Sequence, residues 1–252
     1  MNTVQPNSLL QGDCLDIMRD IPDGSIDAVI CDLPYGTTAC KWDVVVPFEP
    51  LWENYKRICK PTAAIILFGA EPFSSALRLS NLSWYKYDYT WVKTKASGFQ
   101  NAKIQPMRKH ENIMVFYEKQ PTFNQLNLVE LAKPIESGRK RLRNEEQHRL
   151  GVAGKQHKTT HTGWQTSVLQ FANPSGAGHL HPTQKPIDLI SYLVRTYTNE
   201  GDIVLDNCCG SGTTAIAAIR EKRNYICIEK DPHFYEVARK RIDNELRQPT
   251  LF

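Results

Sequence analysis

No stretch of this 252-residue chain approaches the ~20 consecutive apolar residues that a membrane-spanning helix needs. The opening residues, Met1-Asn2-Thr3-Val4-Gln5-Pro6, carry neither a basic cluster nor an apolar core, so a secretory signal is not expected. There is no Cys-x-x-Cys, which removes the zinc-ribbon and thioredoxin-type readings. The seven cysteines are an odd number, and Cys31, Cys208 and Cys227 sit inside or beside expected strands, which suits reduced thiols in a cytoplasmic protein. His157, His161, His179 and His181 do not form a convincing ligand set, and no metal is expected. Internal repeats are lacking, and so is a strong charge of one sign. The net charge is +4, with 41% apolar and 23% charged residues, an ordinary make-up for a folded chain of one large domain carrying an insertion.

The charge is unevenly spread. Between residues 137 and 163 lie Arg139, Lys140, Arg141, Arg143, Arg149, Lys155 and Lys158 against Glu145 and Glu146 alone. That local excess of positive charge exceeds the net charge of the whole chain, as a nucleic-acid footprint requires. Arg139, Lys140, Arg141, Arg143, Lys155 and Lys158 are the candidate DNA contacts, for phosphates or guanine edges. Apolar periodicity fades from 120 to 178, where Gly, His, Gln and Thr take over. This segment reads as an inserted recognition lobe of long loops with one helix at most, with 1–119 and 179–252 forming the main domain. Trp164 suits either stacking on a base or anchoring the lobe.

Elsewhere the pattern alternates strands and helices. Strands are expected near 8–10, 26–30, 63–68, 85–92, 112–117, 201–206 and 224–228. The run Ala63-Ala64-Ile65-Ile66-Leu67-Phe68 is continuously apolar, as in a parallel strand covered on both faces. Helices are expected over 47–59, with Leu51, Trp52, Tyr55 and Ile58 on one face, and over 71–82 and 187–197. Another runs through residue 219, and a last one begins at Pro232 with Phe234, Val237, Ala238, Ile242 and Leu246 inward.

Two motifs carry chemistry. The strand at 26–30 delivers Cys31-Asp32-Leu33-Pro34-Tyr35-Gly36, an acidic, proline-stiffened, aromatic turn. An acid, constrained carbonyls and a flat ring suit a planar base bearing an exocyclic amine, although a capped turn with Tyr35 packed on the sheet accounts for it alone. The second motif is Asp206-Asn207-Cys208-Cys209-Gly210-Ser211-Gly212-Thr213-Thr214. Strand, Gly210-x-Gly212 turn, helix, strand and then Glu229 is the layout of a nucleotide-binding βαβ unit. Gly210-x-Gly212-x-x-Ala215 also satisfies the loose dinucleotide fingerprint, so a nicotinamide-dependent oxidoreductase stays open, as does a catalytically dead DNA-binding module. Only two strands remain from Ile203 onward, so the early strands must complete the sheet. The expected fold is α/β: a Rossmann-like, doubly wound, mostly parallel sheet in circularly permuted order.

Asp32-Leu33-Pro34-Tyr35 resembles the catalytic Asp-Pro-Pro-Tyr motif of amino-group DNA methyltransferases. Residues 206–214 resemble their S-adenosylmethionine loop, and His181-Pro182-Thr183-Gln184-Lys185-Pro186 resembles the segment preceding that loop in the permuted β-class. The motif order is also that of the class, and the resemblance covers nearly the whole chain apart from 120–178. It implies methyl transfer from S-adenosylmethionine to an exocyclic amine of a nucleotide flipped out of double-stranded DNA. Asp rather than Ser at position 32 favours adenine N6 over cytosine N4. By position, Asp32, Leu33, Pro34 and Tyr35 are the implied catalytic residues. Asp13, with Cys14 beside it, would meet the cofactor's adenine, and Glu229 its ribose. Asp206, Asn207, Cys208, Gly210, Ser211, Gly212 and Thr213 would surround its methionine portion, close to Asp32, and Thr183 and Lys185 would approach its carboxylate. Leu33 departs from the usual Pro, and Asn207 and Cys208 from the usual Pro and Phe, so the ring contact to the cofactor is either missing or supplied from elsewhere. A lobe this short encloses little duplex, from which a homodimer, or else loose specificity, is expected.

Overall fold

The computed structural model describes residues 3–37, 43–136, 158–174 and 184–247. Its strands are β1 (Ser8–Gln11), β2 (Ile26–Cys31), β3 (Cys59–Gly69), β4 (Tyr85–Ser97), β5 (Arg108–Phe116), β6 (Val129–Glu136), β7 (Lys158–Thr162), β8 (Val168–Phe171), β9 (Ile203–Asp206) and β10 (Asn224–Glu229). The helices are α1 (Cys14–Ile17), α2 (Phe48–Ile58), α3 (Phe73–Ser80), α4 (Ile187–Tyr197), α5 (Thr213–Arg220) and α6 (Pro232–Arg247). No helix among the described residues is long and apolar enough to cross a membrane.

Eight strands form one sheet in the order β1-β10-β9-β2-β3-β5-β4-β8. Only β5 runs against its neighbours β3 and β4; the other pairs are parallel. The late strands β9 and β10 are threaded between the early β1 and β2, so the permuted, mostly parallel sheet expected from the sequence is the one observed. Both faces are covered. Val29, Ile65, Leu205 and Ile226 pack with Leu51, Trp52, Tyr55 and Ile58 of α2 and with Phe73 and Leu77 of α3. On β10 the alternate residues Tyr225 and Cys227 pack with Ala215 and Ile216 of α5 and Ile242 of α6. Period-two alternation of a strand clothed on both sides makes every position apolar, which is why β3 reads as an unbroken hydrophobic run. Pro61, expected just past the end of α2, lies in β3 where the β2–β3 register shifts, a place that asks no ladder N–H of it.

Three features differ from expectation. β4 and β5 continue to Ser97 and from Arg108, beyond the apolar stretches that reveal them, because the outer ladder is held by backbone pairing without burial. Leu246, expected inward, is 61% exposed on the last turn of α6. Residues 168–171, placed with the insertion by their composition, form β8 and pair in parallel with β4. The second compact unit is accordingly narrower than 120–178, at Gln125–Thr166. It contains the antiparallel pair β6–β7, in which Val129 faces Thr162 and Glu136 faces Lys158. Gly163 turns the chain there with φ +81, and a Cβ at this position would meet the Asn127 carbonyl oxygen at 1.9 Å.

One buried hydrogen bond ties α2 to the loop after β9: the Tyr55 hydroxyl donates to Asn207 Oδ1 at 2.5 Å. Both side chains are at most 1% exposed. Tyr55→Phe keeps the volume and strands the amide oxygen, so a loss of about 1–3 kcal/mol is expected. A lower urea midpoint at unchanged slope would show it; an unchanged midpoint would mean that the bond carries nothing.

Candidate active site

β2 and β9 are parallel neighbours in register, Ala28 beside Val204 and Val29 beside Leu205. Their C-terminal loops therefore leave one edge of the sheet side by side, where the connections diverge toward β3 on one side and β10 on the other. In an open α/β sheet, that divergence creates the ligand crevice. A cavity of about 560 Å³ lies there. Asp32, Leu33, Pro34 and Tyr35 line one side of it, and Asp206, Asn207, Cys208, Gly210, Ser211 and Thr213 another. Asp13, Cys14, Lys185 and Glu229 complete the set of expected residues in its wall. Two sequence motifs more than 170 residues apart thus share one space.

At the turn, the Tyr35 hydroxyl donates to Asp32 Oδ1 at 2.6 Å, and its ring stacks on Phe73 with centroids 5.0 Å apart. Burial, then the Asp32 charge, holds the Tyr35 hydroxyl well above its ordinary pKa, so it remains a donor. Leu33 is 2% exposed, its side chain in the apolar core beneath the turn. That burial accounts for leucine where the resembling motif has proline. Beyond the turn, Asp43 accepts from the N–H groups of Gly36 (2.8 Å) and Thr37 (2.9 Å) and fixes the start of the next loop.

Lys185 stands beside the turn. It precedes α4, is nearly buried, and its ammonium pairs with Asp32 Oδ2 and lies 3.4 Å from Glu111 Oε2. Glu111 in turn pairs with Lys93 of β4. Four charges of alternating sign thus run from the turn into the β4–β5 ladder. Burial works against the ammonium, yet the two flanking carboxylates raise the Lys185 pKa above its ordinary value. For Glu111, burial is outweighed by Lys185 and Lys93, and its pKa is lowered. Glu111 and Lys93 were not singled out from the sequence. Glu111 stands one residue before the apolar run that reveals β5, and an acid at the crevice end of a buried strand is the signal that would have found it.

The glycine loop is secured from several directions. Asp206 Oδ2 accepts from the Thr214 hydroxyl at 2.6 Å and Oδ1 from the Cys208 N–H at 3.2 Å. Arg241 of α6 donates to the Ser211 carbonyl (2.5 Å) and hydroxyl (2.9 Å), an anchor that a lone arginine on a surface helix does not announce. Gly212 does not line the cavity. Its φ is +77, and a Cβ there would stand 3.0 Å from that of Ala238, so glycine is required for the turn and for close packing on α6. Glu229 accepts from the N–H groups of Gly210 (2.7 Å) and Asp231 (2.8 Å), which aim its carboxylate at the cavity with lone pairs to spare. Asp13 caps α1 through the Leu15 N–H (2.9 Å) and pairs with Lys230 (3.0 Å), besides lining the cavity. Phe234, expected to face the core, lines the cavity from the first turn of α6 and supplies an aromatic ring that the loop lacks. Thr183, Arg139, Lys140, Arg141, Arg143 and Lys155 lie outside the described residues. Lys158 is exposed on β7.

The family model for N6_N4_Mtase, a DNA methylase, matches residues 26–240. The chain belongs to this family. It is an S-adenosylmethionine-dependent DNA methyltransferase. The methyltransferase is 26% identical over 256 residues to the type II methyltransferase M.HpaI of Haemophilus parainfluenzae, covering 94% of this chain and 74% of that protein. It is 27% identical over 271 residues to the type II methyltransferase M.HinfI of Haemophilus influenzae, covering 94% and 68%. In fold it matches the M1.HpyAVI–SAM complex with a TM-score of 0.63 at 23% identity, over 96% of this chain and 99% of that one. The cytosine-N4-specific PvuII DNA methyltransferase gives a TM-score of 0.69 at 16% identity, over 99% and 89%. The cavity fits the cofactor: its volume falls in the range of about 300–1,000 Å³ usual for small-molecule sites, with an aromatic ring, a carboxylate and a glycine turn in its wall.

Burial pushes the Asp206 carboxyl of the methyltransferase up to about 7, against the opposing hydrogen bonds from Thr214 and Cys208. The folded state therefore holds a proton that the unfolded chain releases near pH 4. This residue favours folding at low pH and loses that contribution as pH rises through about 7. Asp206→Asn removes the dependence. The melting temperature of the variant, relative to wild type, is expected to rise by several degrees between about pH 5 and about pH 7.5; a constant difference would count against an elevated Asp206.

Proposed function

We propose that this methyltransferase modifies the N6 amine of adenine, with Asp32 and the Leu33 carbonyl accepting its two N–H bonds. The observation that carries the reading is the shared cavity: an aspartate-bearing turn and a glycine loop ending strands that are direct neighbours. S-adenosylmethionine, when bound, supplies an electrophilic methyl group on its sulfonium sulfur. The obstacle on the other side is a nitrogen whose lone pair is delocalised into the base. Hydrogen bonds to Asp32 and Leu33 turn that nitrogen toward sp3 geometry and aim its lone pair. As the nitrogen gains positive charge, the preorganised carboxylate of Asp32 stabilises it. Each carboxylate oxygen has two lone pairs, so Asp32 can take up the amine while keeping Tyr35 and Lys185. Tyr35 offers its ring to the flipped base.

Burial raises the Asp32 pKa and the Lys185 ammonium opposes that rise; its two carboxylate partners favour this role over binding the cofactor's carboxylate. Glu229 holds the ribose hydroxyls, Asp13 the cofactor's adenine amine, and the 206–213 loop the methionine portion, with Thr183 nearby by resemblance. The 125–166 unit reads the DNA through its basic residues. Cytosine N4 is the second reading, because the fold is shared with a cytosine-N4-specific enzyme; aspartate at position 32 favours adenine.

Tritiated-methyl incorporation into unmethylated plasmid tests the assignment, with the digest separating 6-methyladenine from 4-methylcytosine. Asp32→Ala is expected to lower incorporation by at least about 10²-fold while cofactor binding persists. Wild-type incorporation by the variant would sink the role of Asp32, and label in 4-methylcytosine the choice of amine. Lys185→Met leaves Asp32 buried beside Glu111 without its cation, so the acid limb of the kcat profile should move to higher pH; an unmoved limb would exclude Lys185 as its counter-ion.

A further inference from the structure

The tip of the β4–β5 hairpin is not used by any of this. Between Asp88 and Glu111 the chain carries Lys93, Lys95, Lys103, Arg108 and Lys109 and no acid. Lys93 is spent on Glu111; Lys95, Lys103, Arg108 and Lys109 have no ion-pair partner among the described residues. Every residue from 97 to 110 is exposed. Within this cationic setting stand two large apolar side chains, Phe99 at 80% and Ile104 at 84% exposure. The tip nevertheless has its own local order. Gly98 turns it with φ +88, Phe99–Asn101 forms a 3-10 turn, and the N–H groups of Ile104 and Gln105 both donate to the Asn101 carbonyl at 3.0 Å.

Its location follows from the topology. β4 is antiparallel to β5, which is antiparallel to β3, so β4 runs in the direction of β3 and ends at the crevice edge of the sheet. The tip rises from that edge, and Glu111, three residues inside its base at Arg108, is part of the cavity wall. A cation-rich ribbon presenting two apolar side chains beside the mouth of a base-accepting cavity has a definite chemical complement. Phosphates meet the cations, and an opened base step meets the apolar pair. A second copy of the same tip would set cation against cation.

We infer that the β4–β5 hairpin tip is a duplex-DNA contact, in which Lys95, Lys103, Arg108 and Lys109 hold phosphates and Phe99 with Ile104 packs into the duplex next to the flipped nucleotide. This rests on the chain's being a DNA methyltransferase and not on which amine it modifies. Two variants of the full chain test it: one with Lys95, Lys103, Arg108 and Lys109 each changed to Ala, the other Phe99→Ser with Ile104→Ser. The probe is a fluorescently labelled mixed-sequence duplex followed by anisotropy at several salt concentrations, with S-adenosylmethionine affinity measured in parallel. The four-alanine protein is expected to bind at least about tenfold more weakly, with the log–log salt slope reduced by up to about 3.6, at 0.9 per lost phosphate contact. The double serine protein should keep the salt slope and lose plasmid-methylation kcat severalfold. Cofactor affinity should stay at the wild-type value in both. Wild-type affinity and slope in the four-alanine protein would overturn the proposal, as would a change of sedimentation with unchanged DNA binding, or a loss of duplex binding matched by loss of the cofactor. Failure of the enzyme reading itself would look different: wild type would bind the duplex and transfer no methyl group to plasmid.

Discussion

The parallel pairing of β2 with β9 is the constraint on which the rest depends. Neighbouring strands lie about 4.8 Å apart, so loops leaving two adjacent parallel C-termini have no choice but to share a space. Val29 sits beside Leu205, and a few residues on, the chain has become Asp32 on one side and Asp206 on the other. Had β9 joined the sheet at an edge, the same two motifs would have faced different solvent. The permuted order is invisible to the site: proximity is set by strand neighbourhood, and the order of the connections affects only which loops are long.

Around that crevice the chain spends its polar groups on rigidity. The glycine loop is tied to α5 through Thr214, to α6 through Arg241 and to α2 through Tyr55 and Asn207. The turn bearing Asp32 is tied to α3 by the Tyr35–Phe73 stack and to β5 by the row Asp32, Lys185, Glu111, Lys93. Mostly buried charges survive there because each has an opposite neighbour; removing one weakens the compensation of the next in a poorly solvated wall. The same row explains how a lysine sits within the cavity wall: Glu111 offsets its charge.

Much of the fold was legible beforehand for a simple reason. Where burial is one-sided or complete, it writes a period into the chain. The four apolar residues of α2, the unbroken run in β3 and the Gly210-x-Gly212 turn before a small-residue helix each read directly into the observed element. The β6–β7 pair, β8 and the outer ends of β4 and β5 did not, because strands held by ladder bonds at an exposed edge leave no apolar alternation. Within the site, Asp32, Glu229 and Gly210 were found through local motifs. Arg241 and Phe234 were missed because on α6 they look like any helical surface or core residue, and the pairing of Lys185 with Asp32 and Glu111 was not visible because these partners lie 153 and 74 positions away.

The sequence by itself determined the class of sheet, the two chemical motifs and their order, since these are properties of short segments and their hydrophobic period. Only the tertiary structure decided that Asp32 is counterbalanced by Lys185, that Gly212 serves helix packing rather than the cavity, and that the β4–β5 tip stands at the cavity's edge. Those are contacts between segments distant along the chain or consequences of strand direction, and they exist only once the sheet has fixed which strands are neighbours.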